Sequence, residues 1–84
     1  LASIENPNTG KDFVLAPNPV DNYLTVKSKQ KISGYQILDI SGRLIETNVL
    51  NNETINFSRL KTGNYMLILL NNGKVIHREK IIKK

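Results

Sequence analysis

Hydrophobic and polar residues alternate with a period of two along most of this chain. Leu24 and Val26 alternate with Tyr23, Thr25 and Lys27, which predicts a half-buried strand over residues 22–28. In "GYQILDI" (34–40), Tyr35 and Ile37 share one face while Leu38 and Ile40 share the other. A segment apolar on both faces predicts a strand near the middle of a sheet. "NYMLILL" (64–70) has the same character and predicts a second central strand. "DFVLAP" (12–17), "RLIETNVL" (43–50), "TINFS" (54–58) and "KVIHREKII" (74–82) supply further strands, about seven altogether. No stretch sustains the i, i+3, i+4 spacing of an amphipathic helix.

Turn chemistry fills the gaps. Gly42, after Ser41, can take the positive φ that a tight hairpin requires, and Asp39 is placed to accept from the turn's backbone N–H groups. Asn51-Asn52 is another turn, Thr62-Gly63-Asn64 leads into "YMLILL", and Asn72-Gly73 is the strongest hairpin signal in the chain. The expected fold is all-β: a small immunoglobulin-like antiparallel β-sandwich of about seven strands. "APNPVDN" (16–22) sits against this pattern with two residues that cannot donate to a ladder, Pro17 and Pro19. The segment therefore belongs at an edge, a crossover or a bulge, and Ala16 and Asn18 should be extended because each precedes a proline.

Length limits stability. An 84-residue chain buries only about 60–65% of its unfolded surface. It has no cysteine, so neither disulfides nor thiolate metal sites supplement the core. No apolar run reaches the ~20 residues of a membrane span, and direct membrane insertion is not expected. "LASIENPNTGKD" lacks the basic and apolar regions of a signal peptide. Residues 1–12 read as a polar linker from an upstream domain, and 13–84 as the domain itself.

Net charge is +5 and is concentrated at the C-terminal end, where from Lys74 onward five basic residues stand against Glu79 alone. A nucleic-acid binder would interleave aromatics with its basic residues. Here Phe13, Tyr23, Tyr35, Phe57 and Tyr65 all lie outside the basic segment, so nucleic acid is not an expected partner. His77 is the only histidine, expected as a solvated side chain beside Arg78 and Glu79, and the carboxylates are scattered singly. Neither a calcium loop nor a phosphate-cradling glycine loop occurs. No catalytic constellation can be assembled, and no cofactor or metal is called for.

Four short motifs run in order: Pro17-Asn18-Pro19, Asp39-Ile40-Ser41-Gly42-Arg43, Leu60-Lys61-Thr62-Gly63-Asn64-Tyr65 and Lys80-Ile81-Ile82-Lys83-Lys84. In this order and spacing the chain, over about residues 13–84, closely resembles the type A C-terminal sorting domains of type IX secretion system cargo. The resemblance implies a secretion signal, not an enzyme, fused to an upstream cargo protein. It implies passage through the periplasm and recognition by the outer-membrane translocon. Removal by a sortase-like cysteine peptidase cutting in the linker would follow, with the cargo left at the cell surface or secreted. The family fold, an immunoglobulin-like sandwich, agrees with the strand pattern.

Within that frame, Lys80, Ile81, Ile82, Lys83, Lys84 and Arg43 are the expected translocon contacts. The tail offers a basic, apolar-tipped edge that a receptor could take by strand addition or in an acidic groove. Ile81 and Ile82 should face opposite sides of the strand, leaving one exposed. Deleting Ile81–Lys84 is expected to block export without unfolding the domain. Pro17, Asn18, Pro19, Asp39, Gly42, Leu60, Gly63 and Tyr65 are expected to frame the structure. A weak homodimer through an edge strand is a further expected association. The competing reading is a carbohydrate-binding or adhesive module of a cell-surface protein, for which Tyr23 and Tyr35 would have to be partly exposed.

Overall fold

The period of two becomes seven strands among residues 12–84, which the computed structural model describes. They are β1 (Phe13–Ala16), β2 (Tyr23–Ser28), β3 (Gly34–Asp39), β4 (Leu44–Val49), β5 (Thr54–Asn56), β6 (Gly63–Asn71) and β7 (Lys74–Lys83). No helix forms among the described residues. The linker assigned to 1–12 lies outside them except for Asp12, whose carbonyl accepts from the Lys29 amide at 3.0 Å.

Two antiparallel sheets result, one of order β1-β2-β5 and one of order β4-β3-β6-β7. The doubly apolar strands β3 and β6 occupy the two central positions of the larger sheet, as their patterns require. Leu15, Leu24, Val26 and Ile55 of the smaller sheet face Ile37, Leu67, Leu69 and Ile81 of the larger, with Val20 and Phe57 closing the core. This is the layered arrangement of a small β-sandwich.

The turns form where their residues dictate. Asn72 and Gly73 both take positive φ, 53° and 81°, giving the primed hairpin between β6 and β7. Both edges of the larger sheet carry polar side chains turned inward: Glu46 on β4, and His77, Glu79 and Lys83 on β7. Inward polar groups discourage further strands from adding to an edge.

The Pro-Asn-Pro segment is where the chain changes sheets. β1 pairs with β2 in the smaller sheet, whereas Val20 forms an isolated parallel bridge to Lys83 at the end of the larger one. The Ala16–Pro17 and Asn18–Pro19 peptide bonds are both cis. A segment poor in N–H donors thus sits at an edge, the position its prolines demand.

Candidate functional site

Register gathers the four motifs at one end of the larger sheet. Asp39 of β3 lies beside Tyr65 of β6, and Tyr65 beside Ile81 of β7. One step along, Leu38, Met66 and Lys80 form the neighbouring row. The Asp39–Arg43 turn, the Leu60–Tyr65 segment and the Lys80–Lys84 strand end are therefore adjacent in space although distant in sequence.

The first motif completes the group through its asparagine. Asn18 Nδ2 donates to the Lys80 carbonyl at 3.0 Å, and the Ile82 amide donates to Asn18 Oδ1 at 2.9 Å. Two residues on, the Val20 amide donates to the Ile82 carbonyl at 2.7 Å, and the Lys84 amide to the Val20 carbonyl at 2.9 Å. The flanking prolines cannot donate, and the Asn18 carboxamide supplies a donor and an acceptor in the geometry of a peptide group. The outer backbone edge of β7 from Lys80 to Lys84 is thereby filled. Strand addition, one of the two expected routes to a receptor, is closed along this stretch because its hydrogen-bonding groups already have partners.

In the second motif, Asp39 organises the turn. Its Oδ1 accepts from the Ser41 hydroxyl at 2.6 Å, the Ser41 amide at 2.9 Å and the Arg43 amide at 3.0 Å. These bonds, first from the Ser41 hydroxyl and then from the Arg43 amide, hold its carboxyl below the usual carboxylate range. Gly42 takes φ 92°, as a tight connection here requires. The Arg43 side chain is 77% exposed and pairs with Asp39 at 3.3 Å through Nε. Much of its guanidinium donor capacity remains directed to solvent.

In the third motif, Tyr65 donates from its hydroxyl to the Lys61 carbonyl at 2.7 Å and packs edge-on against Phe57 at 6.5 Å between ring centroids. This is the tyrosine corner of immunoglobulin-like sandwiches, in which a tyrosine early in a strand ties down the loop leading into it. Leu60 packs against the core beside it.

The fourth motif divides by face. Ile81 is fully buried, and Lys83 is only 7% exposed with its Nζ donating to the Lys84 carbonyl. Neither side chain is open to a partner of the folded domain. Ile82 is 41% exposed, and Lys80 and Lys84 are exposed beside it. One isoleucine in and one out is the expected alternation. Deleting Ile81–Lys84 would strip core packing together with the exposed tip.

Two further side chains differ from expectation. His77 is not a solvated histidine: it pairs in register with buried Leu69, stacks on Phe13 at 4.4 Å and shares a 2.9 Å hydrogen bond with Glu79. Tyr35 is buried, and its hydroxyl donates to Glu46 at 2.7 Å while Arg59 pairs with the same carboxylate. Burial and this hydrogen bond push the Tyr35 phenol up to about 12. Of the two tyrosines a glycan platform would use, only Tyr23 is exposed.

Two open depressions flank the convergent end. One, of 320 Å³, is bordered by Leu38, Ile40, Met66 and Lys80. The other, of 500 Å³, is bordered by Arg43, Arg59, Lys61 and Tyr65. They share Asp39, Ile40, Asn64 and Tyr65 as a common wall. Arg59 is a basic residue that the sequence pattern did not single out, because an isolated cation in a loop carries no periodicity.

A family model described as "Secretion system C-terminal sorting domain" matches residues 14–84. No curated protein and no solved structure matches the chain.

Proposed function

The chain belongs to the type IX secretion C-terminal sorting domains, a family of sorting signals and not of enzymes, and from that premise we propose how it is read. The domain is fused to an upstream cargo and carries it to the outer-membrane translocon for export to the cell surface or medium. Lys80, Ile82 and Lys84 on the C-terminal strand, with Arg43 on the adjoining turn, are the recognition contacts. Ile81 and Lys83 anchor the same strand from beneath. A sortase-like cysteine peptidase then cuts in the segment preceding the domain, within or beside residues 1–12.

The convergence of all four motifs on one end of the larger sheet carries this reading. Loops and strand ends separated by up to 64 residues meet there, with the Asn18 carboxamide clasping the last strand.

The test is export of a reporter fused to residues 1–84 in a host with type IX secretion. The fusion should reach the medium or cell surface, and Lys80→Glu with Ile82→Ser should retain it in the periplasm with the domain still folded. Retention of the unaltered fusion, while an established cargo is exported, would refute the proposal.

A further inference from the structure

The two outer faces of the sandwich differ in chemistry. The smaller sheet turns Tyr23, Thr25, Lys27, Thr54 and Asn56 to solvent, with Val14 its one large aliphatic side chain. The larger sheet turns outward Leu38, Leu44, Met66, Ile68, Leu70, Val75 and Ile82. On β6 the alternation buries Leu67 and Leu69 in the core and leaves Met66, Ile68 and Leu70 as a second apolar row outside, while β3 adds Leu38 beside the polar Gln36. A solvated sheet face is ordinarily polar, and a contiguous apolar face on a small domain marks an interaction surface.

Charge says what covers it. Arg78 and Lys80 project from the same face at its β7 side. Among the described residues no carboxylate points out of it: Glu46 and Glu79 face inward, paired with Arg59 and His77, and Asp39 at the rim is held by Ser41 and Arg43. A second copy of this face would bring no carboxylate to Arg78 and Lys80. A partner with acidic residues around an apolar ridge would pair both cations and cover the aliphatic row. The 320 Å³ depression between Leu38, Ile40, Met66 and Lys80 is large enough to take one anchoring side chain of such a ridge.

We propose that the outer face of the β4-β3-β6-β7 sheet is a docking surface for an acidic, apolar-ridged protein component of the export machinery. The inference rests on the sorting-signal reading and extends the recognised surface from the strand tip to the whole face.

The experiment uses the same reporter fusion. Met66→Glu, beside Lys80 in register, and Leu44→Glu, on the opposite edge strand of the face, both at exposed positions, should each lower export at least tenfold with unchanged melting temperature. Val14→Glu, on the outer face of the smaller sheet, should export normally. A photo-crosslinking residue at position 66 should join the domain to an outer-membrane translocon protein, and the same probe at position 14 should not. The crosslinking readout does not use the glutamate variants, so it stands even if one of them is destabilised.

Normal export of both glutamate variants, while the parent fusion is exported, would overturn the docking surface and leave the sorting role standing. Failure of the parent fusion itself would instead refute the sorting role. A position-66 adduct with a second copy would overturn the proposal, as would a lack of any position-66 adduct. Cosedimentation of the isolated domain with anionic phosphatidylglycerol vesicles that Met66→Glu abolishes would replace the protein partner with a membrane.

Discussion

Asn18 accepts a hydrogen bond from the Ile82 amide at 2.9 Å and, through its Nδ2, donates to the carbonyl two residues earlier in the same strand. A side chain here does the work of a neighbouring strand. An ordinary strand beside β7 would offer alternating backbone N–H and C=O groups, but the Pro-Asn-Pro stretch has lost two N–H groups to its prolines. The asparagine restores one donor and one acceptor from its side chain, and Val20 continues with backbone bonds. The C-terminal strand end is thus held between β6 on one side and an N-terminal clasp on the other.

Removing that carboxamide should loosen the strand end specifically. Asn18→Ala should cost about 1–2 kcal/mol, the loss of two solvent-exposed hydrogen bonds. On a domain of this size that lowers the melting temperature by about 4–16 °C. Asn18→Asp keeps the acceptor but faces the Lys80 carbonyl with a second acceptor, so one bond survives. Hydrogen exchange at the Ile82 amide should accelerate strongly in the alanine variant and only slightly in the aspartate one. Equal protection in all three proteins would show that the clasp does not hold the strand.

The tyrosine corner offers an independent test of what frames the convergent end. Tyr65→Phe keeps the edge contact with Phe57 and loses only the bond to the Lys61 carbonyl. About 1 kcal/mol should go with it, read by chemical denaturation. Tyr65→Ala should cost more, about 3–5 kcal/mol, because the ring packs against the core. A phenylalanine variant as stable as the parent would remove the hydrogen bond from the corner's role.

The elements were legible because each rests on a local rule. Alternation marked the strands, double-sided apolarity marked β3 and β6 as central, and Asn72-Gly73 and Gly42 marked turns with positive φ. Asp39 was legible too, since an aspartate before a turn has few other partners than the N–H groups ahead of it. The clasp was not, because a side-chain amide replacing a strand is a contact across 62 residues without a local signature. Ile81 and Ile82 read alike until β6 fixed which one faces the core. The outer apolar row was written in "YMLILL", but alternation alone does not say which of two apolar faces is buried.

Glycine positions in the larger sheet should respond to alanine for different reasons. A Cβ on Gly42 would meet nothing within 4 Å. The cost of Gly42→Ala is then conformational, about 1–2 kcal/mol for a positive φ. A Cβ on Gly34 would lie 2.8 Å from the Asn48 carbonyl oxygen, so β4 must move to admit it. Gly34→Ala should therefore disturb amide shifts throughout β4, whereas Gly42→Ala should confine its changes to the turn.

Asp39 should give the domain an acid-sensitive increment of stability. Its carboxyl is held below its ordinary value of 3.8, chiefly by the Ser41 hydroxyl and the Arg43 amide. In the acid range the unfolded chain binds this proton more readily than the folded one. The stabilisation is fully present above the unfolded value and is lost as pH falls through the folded one. An Asp39→Asn protein keeps a neutral acceptor for the turn without titrating. The parent should be the more stable at neutral pH, with the difference closing below about pH 4. A gap independent of pH would mean the turn's bonds do not discriminate the charged form.

Tyr35 should set the alkaline limit in the opposite sense. Its phenol is buried, donates to Glu46 and is pushed up to about 12, above its ordinary 10.0. Between those values the unfolded chain releases the proton and the folded domain keeps it, so stability is complete below about pH 10 and falls as pH rises toward about 12. Lysines titrate in the same range, so the comparison that isolates Tyr35 is with Tyr35→Phe. That variant leaves Glu46 paired with Arg59 and has no phenol to ionise. Denaturation midpoints of the two proteins should differ at neutral pH by the lost Glu46 bond and converge in the alkaline range. Parallel curves across the whole range would show that Tyr35 ionises alike in the folded and unfolded chain.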